Sequence, residues 1–108
     1  YVPGVFWTAA HHEIPFLSIV HNNRGYHQEF MHLQRMAARR QRGADGSSHV
    51  GNELNNPAPD LAMITRGMGV WSEGPITEPS QLRGAMQRAL DVVDQGEPAL
   101  IDVVSQPR

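Results

Sequence analysis

Phe16-Leu17-Ser18-Ile19-Val20-His21-Asn22-Asn23-Arg24-Gly25-Tyr26-His27-Gln28-Glu29 decides the fold. Its first five residues are a short, largely apolar run that follows Pro15, the pattern of a strand covered on both faces. Asn22-Asn23 ends the run. From His27 to about Arg42 the period changes, with Phe30, Leu33 and Ala37 on one helical face. In sheets of alternating strands and helices, ligands bind beyond the carboxyl ends of strands, which makes residues 21–26 the candidate site. An Asn side-chain oxygen and a backbone carbonyl are hard donors that suit Mg²⁺. Gly25 lets the backbone come close. The same residues also fit a plain strand-to-helix turn closed by an Asn cap.

Outward from this stretch, two further runs predict strands. Val70-Trp71-Ser72 follows Gly69 and ends at Gly74-Pro75, and Ala99-Leu100-Ile101-Asp102-Val103-Val104 follows Pro98. Helices alternate with them. Leu82, Ala85, Met86, Ala89, Leu90 and Val93 form one stripe over Ser80 to Gln95, with Pro79 near its start and Gly96 as its stop. Asp60 to Met68 predicts a short helix with Leu61, Ile64 and Met68 inward, and Val5 to His12 the end of another. Residues 43–59, rich in Gly, Ser, Asn and Pro, read as one long and mobile loop, a length that usually carries function. The order predicts an α/β fold, and three strands make a small sheet, as of part of a larger domain.

Length and composition narrow the function. The 108 residues suit a single domain, and 40% hydrophobic with 19% charged residues excludes disorder for the bulk of it. A net charge of −2 disfavours nucleic acid as a partner. The absence of cysteine excludes disulfides, zinc–thiolate sites and cysteine nucleophiles. All nine basic residues are Arg, so neither a lysine Schiff base nor a P-loop lysine is available. No apolar run approaches the length of a membrane span. No repeat is visible. The chain opens on Tyr1 without a signal-like segment and reads as a longer chain entered midway.

Asn22-Asn23-Arg24-Gly25-Tyr26-His27-Gln28-Glu29, directly after an apolar strand, resembles the second half of the thiamine-diphosphate motif, in which Gly-Asp-Gly is followed after a spacer by Asn-Asn. Phe6-Trp7-Thr8-Ala9-Ala10 and His12-Glu13-Ile14-Pro15 resemble the helix between the two halves. Gly96-Glu97-Pro98-Ala99-Leu100-Ile101-Asp102-Val103-Val104 resembles the last strand of the same domain. The likeness spans essentially the whole chain. It is to the C-terminal diphosphate-binding domain of the superfamily of acetolactate synthase, pyruvate decarboxylase and benzoylformate decarboxylase. The fold it implies is a three-layer α/β sandwich with a mainly parallel sheet.

The resemblance implies thiamine diphosphate and Mg²⁺ as cofactors and a 2-keto acid as substrate, for decarboxylation, carboligation or both. It implies Asn23, through its side chain, and Gly25, through its carbonyl, as metal ligands. Asn22 and Tyr26 are implied as further cofactor contacts, although packing is the first reading of Tyr26. Glu29 stands where the pyruvate decarboxylase branch has a substrate-facing Glu. It reads either as a proton donor or relay, or as a solvated first-turn Glu favoured by the helix N-terminus. That local run leans towards a decarboxylase, and the C-terminal strand towards an acetolactate synthase. Gly-Asp-Gly is absent, and on the family spacing it falls just upstream of Tyr1. The expectation is therefore a fragment of a longer parent, truncated just after that half of the motif and inactive by itself. Its other domains and a homodimeric or homotetrameric, cytoplasmic assembly are implied with it. FAD, carried by some acetolactate-synthase relatives on a further domain, is left open. The alternative is a non-catalytic α/β assembly or binding module that has lost the cofactor site.

Other motifs carry less. Ala44-Asp45-Gly46 follows the Asn pair and lacks a first glycine, so it is a decoy. His11 and His12 are adjacent and predicted on different helix faces, and His27 and His32 are five apart, which is poor metal-ligand spacing. Arg35, Arg39, Arg40 and Arg42 form a basic patch, read as a solvated face or as a channel for an anionic substrate or a coenzyme A tail. Asn55-Asn56 precedes Pro57 with no strand leading into it, and reads as a loop.

Overall fold

The apolar run near the C-terminus becomes β3 (Ala99–Val104), and Leu100, Ile101 and Asp102 within it are fully buried. A strand enclosed on both faces needs a neighbour on each edge and a layer on each side. The computed structural model, which describes residues 2–43 and 46–106, supplies these. β1 (Leu17–Asn22) and β2 (Trp71–Ile76) flank β3, both parallel to it, in the order β1-β3-β2. Leu17 and Trp71 are both in register with Ala99. Tyr1 and the first two residues of Ala44-Asp45-Gly46 lie outside the described residues.

The chain divides into two units, residues 2–22 with 60–105, and residues 23–43 with 46–59. The first holds the sheet. On one face, α4 (Pro79–Asp94) buries Ala85 and Ala89 against Ile76, Ala99 and Ile101. Alanines four apart make a flat strip that lets the helix approach closely. On the other face, α3 (Leu61–Arg66) buries Ala62 and Thr65, and the Thr65 and Ser72 hydroxyls lie 2.6 Å apart. The result is a three-layer α/β sandwich, as expected. α1 (Gly4–His11) buries Ala9, and the Phe6 ring stacks on Phe16 at 6.4 Å. In the second unit, α2 (His27–Arg39) is followed by a 3₁₀ turn at Gly46–His49.

Several details differ from the sequence reading. β2 continues through Gly74-Pro75, which reads as a stop. β2 is an edge strand, so the missing Pro75 N–H need not break the ladder, and the register shifts between Glu73 and Ile76 instead. α3 turns Ala62 and Thr65 inward and leaves Ile64 exposed, because small side chains let so short a helix lie close to the sheet. Leu90 and Leu33, both assigned to apolar stripes, are also exposed. The His11 and His12 rings meet edge-on at 4.8 Å, because His12 has already left the helical conformation.

Two local devices yield measurable effects. The Asp60 carboxylate accepts the Met63 N–H at 2.7 Å and caps α3. Asp60→Ala is expected to cost about 1 kcal/mol, read as a shift of the urea midpoint. Arg88 on α4 donates to both Glu73 oxygens on β2, at 2.9 and 2.6 Å. These hydrogen bonds hold the Glu73 carboxyl below its ordinary value of 4.5, while partial burial pulls the other way. A lowered folded-state value stabilises the fold above 4.5, and the gain disappears as pH falls through the lowered value. Glu73→Gln should therefore lower Tm slightly at pH 7, since the pair is exposed. Melting curves taken at falling pH should bring variant and parent together below 4.5.

Candidate functional site

β1 delivers its last residue, Asn22, into a buried position. The Asn22 amide Nδ2 donates to Asp102 on β3, at 3.0 Å to Oδ1 and 3.4 Å to Oδ2. The Asn22 carbonyl accepts the Ser105 N–H at 2.9 Å. The Ser105 hydroxyl lies 3.2 Å from His21 Nδ1. The end of the strand is thus held through both backbone and side chain.

A tight turn follows. The Gly25 N–H donates to Asn23 Oδ1 at 3.3 Å, the local bond that Asn forms when it opens a turn. Arg24 takes a positive φ of 59°. Gly25 then pairs antiparallel with Glu53. The Tyr26 N–H donates to the Asn52 carbonyl, and the Leu54 N–H to the Arg24 carbonyl, both at 2.8 Å. A Cβ on Gly25 would stand 2.8 Å from the Asn52 carbonyl oxygen, so the pairing requires glycine. Among the described residues, no backbone donor outside the regular elements reaches the Gly25 carbonyl.

Within this second unit, a cavity of about 260 Å³ opens beside the turn. Asn23, Gly25 and Tyr26 line it, as do His27 and Phe30, whose rings stack at 6.0 Å. The structure therefore brings three of the expected site residues together. It does not bring in the other two. Asn22 turns its amide towards Asp102, and Glu29 is exposed on the first turn of α2 and does not line the cavity.

The opposite wall comes from the segment read as a loop. His49, Asn52, Glu53 and Asn55 line the cavity, and sequence reasoning named none of them for this site. The available signal was the length of the 43–59 segment, which pointed to function without pointing to a residue. Asn55 was set aside with Asn56, yet it shares the cavity wall with Asn23. Of the basic patch, Arg40 and Arg42 border a separate groove with Ser47 and Ser48.

The donor set suits a hard cation. Asn23 offers an amide oxygen and Gly25 a carbonyl, both from one turn on one cavity wall. Among the described residues, no group of three His, Asp or Glu gathers as a metal site, and no helix is long and apolar enough to cross a membrane. A Mg²⁺ ion that takes a few protein oxygens and completes its shell with diphosphate and water fits these residues.

The family model described as thiamine pyrophosphate enzyme, C-terminal TPP binding domain, matches residues 3–103. No curated protein matches the chain.

Proposed function

The chain belongs to the C-terminal TPP-binding domain family of thiamine pyrophosphate enzymes, and from that premise we propose a Mg²⁺-dependent enzyme that decarboxylates or ligates 2-keto acids. The family carries the dependence on thiamine diphosphate. The observation behind the metal is the Asn23–Gly25 turn, which sets two oxygen donors on the wall of one cavity.

In this reading Asn23 Oδ1 and the Gly25 carbonyl would hold Mg²⁺, whose charge would offset that of the diphosphate. When bound, thiamine diphosphate supplies the carbon nucleophile and the electron sink that decarboxylation requires. The chain's own contribution is anchorage and enclosure. Tyr26 and Phe30 give the cavity apolar surface. Glu29 is exposed on the first turn of α2 and does not line this cavity, and its role as a proton donor or relay rests on the resemblance alone. The division between decarboxylase-like and acetolactate-synthase-like chemistry, and the oligomeric assembly, belong to the same proposal on the strength of the resemblance.

Calorimetric titration of the full-length gene product with thiamine diphosphate, with Mg²⁺ and then with EDTA, tests the metal. Binding that requires Mg²⁺ is expected. Equal affinity in EDTA overturns the Asn23–Gly25 assignment. CO₂ release or a carboligation product from a panel of 2-keto acids tests the substrate class, and its absence with cofactor bound overturns that class.

A further inference from the structure

Asp102 has no accessible surface and sits on the central strand between two apolar neighbours and Val103. A carboxylate enclosed in this way is costly unless its partners are well placed, and an apolar residue would serve the sheet at least as well. All three strands are fitted to it. β3 carries it. β1 ends in Asn22, whose amide reaches both of its oxygens. β2 passes it at Gly74, where a Cβ would stand 2.7 Å from both the Asp102 Cβ and its carbonyl oxygen, and where the ladder register breaks.

We propose that Asp102 is a positioning residue for the metal-binding turn, acting through Asn22 to fix the point at which Asn23 leaves β1. The inference rests on the reading of Asn23 and Gly25 given above. Val20 is the register partner of Asp102, so the carboxylate reaches forward along β1 to its last residue. The Ser105 N–H holds the Asn22 carbonyl, and Asp102 holds its side chain. Asn22 can then neither twist nor slide. The next residue in the chain is the metal ligand. Mg²⁺ demands near-octahedral ligands at about 2.1 Å, so a small swing of the strand end is felt as lost affinity. Asn22 thus contributes by holding the strand end, and its neighbour by binding.

The test is the Mg²⁺ concentration that half-saturates thiamine diphosphate binding, measured by calorimetry on the full-length gene product, with the melting temperature of the metal-free protein measured alongside. Asp102→Leu keeps the size of the side chain but withdraws the acceptor. It is expected to raise the Mg²⁺ midpoint at least about tenfold, the scale of an outer-shell change. The reciprocal swap, Asn22→Asp with Asp102→Asn, restores a donor facing an acceptor and should return the midpoint to near that of the parent. An unchanged midpoint in Asp102→Leu overturns the proposal, whatever happens to the melting temperature, and so does a swap that rescues stability but not the midpoint. If Asp102→Leu does not fold, Asn22→Ala withdraws the same bond and carries the same expectation, and an unchanged midpoint there overturns it equally. Asn23→Ala separates the two readings. If it leaves the midpoint unmoved, the metal assignment itself fails. If it abolishes Mg²⁺ dependence while Asp102→Leu does not move it, only the positioning role fails.

Discussion

Gly74→Ala is expected to remove most of the stability of the fold. Gly74 has a φ of 146°, in the range that side chains avoid. An added methyl would meet Asp102 at 2.7 Å on two atoms and at 3.1 Å on its backbone nitrogen. None of these is the free end of a flexible chain. They belong to the central strand, held on both edges. Backbone strain of about 1–3 kcal/mol adds to overpacking of similar size. The sum, roughly 2–6 kcal/mol, is comparable with the whole stability of a small domain. At about 4–8 °C per kcal/mol, the melting temperature should fall by some 10 °C or more. Gly4→Ala is the control. A Cβ there meets nothing within 4 Å and the position is helical, so circular-dichroism melts should find its stability equal or slightly higher.

Asn23→Ala is expected to cost at least about 100-fold in turnover by the cofactor-loaded protein, since even outer-shell changes at metal sites reach that scale. The change removes the amide oxygen proposed for the metal, together with the bond that closes the turn onto the Gly25 N–H. Asn23→Asp keeps an oxygen at the same place and should recover part of the loss at saturating Mg²⁺. Stability should move little, because Asn23 is only partly buried and outside the apolar core. Steady-state rates at several Mg²⁺ concentrations, with melting curves beside them, separate a lost ligand from a lost fold. Turnover within a fewfold of the parent would remove Asn23 from the metal shell.

The elements were legible because period and punctuation agree at each of them. Ala99 to Val104 is apolar on both faces and becomes the central strand, and Asp60 and Gly96 stand where caps and stops belong. What the sequence concealed was decided by contacts between distant segments. Ile64 and Leu90 fit their apolar stripes, but the sheet accepts Ala62, Thr65, Ala85 and Ala89 because small residues allow closer approach. Four of the ten residues lining the cavity are His49, Asn52, Glu53 and Asn55, and their place depends on a pairing with Gly25 that no local pattern announces. The bond between Asn22 and Asp102 joins residues 80 apart in the chain. It could not be inferred from either stretch alone.

The pairing of Gly25 with Glu53 also bears on how this stretch of the gene can vary. Two short backbone bonds close a ring of chain that includes α2 and the 3₁₀ turn. The entropy of closing a flexible ring rises only with the logarithm of its length, so even a doubling costs about 0.6 kcal/mol. Insertions and deletions within residues 40–43, after α2, are therefore thermodynamically cheap. The same events inside residues 23–26 or 52–54 would break the clasp. Drift in length is tolerated along the ring and forbidden at its fastening.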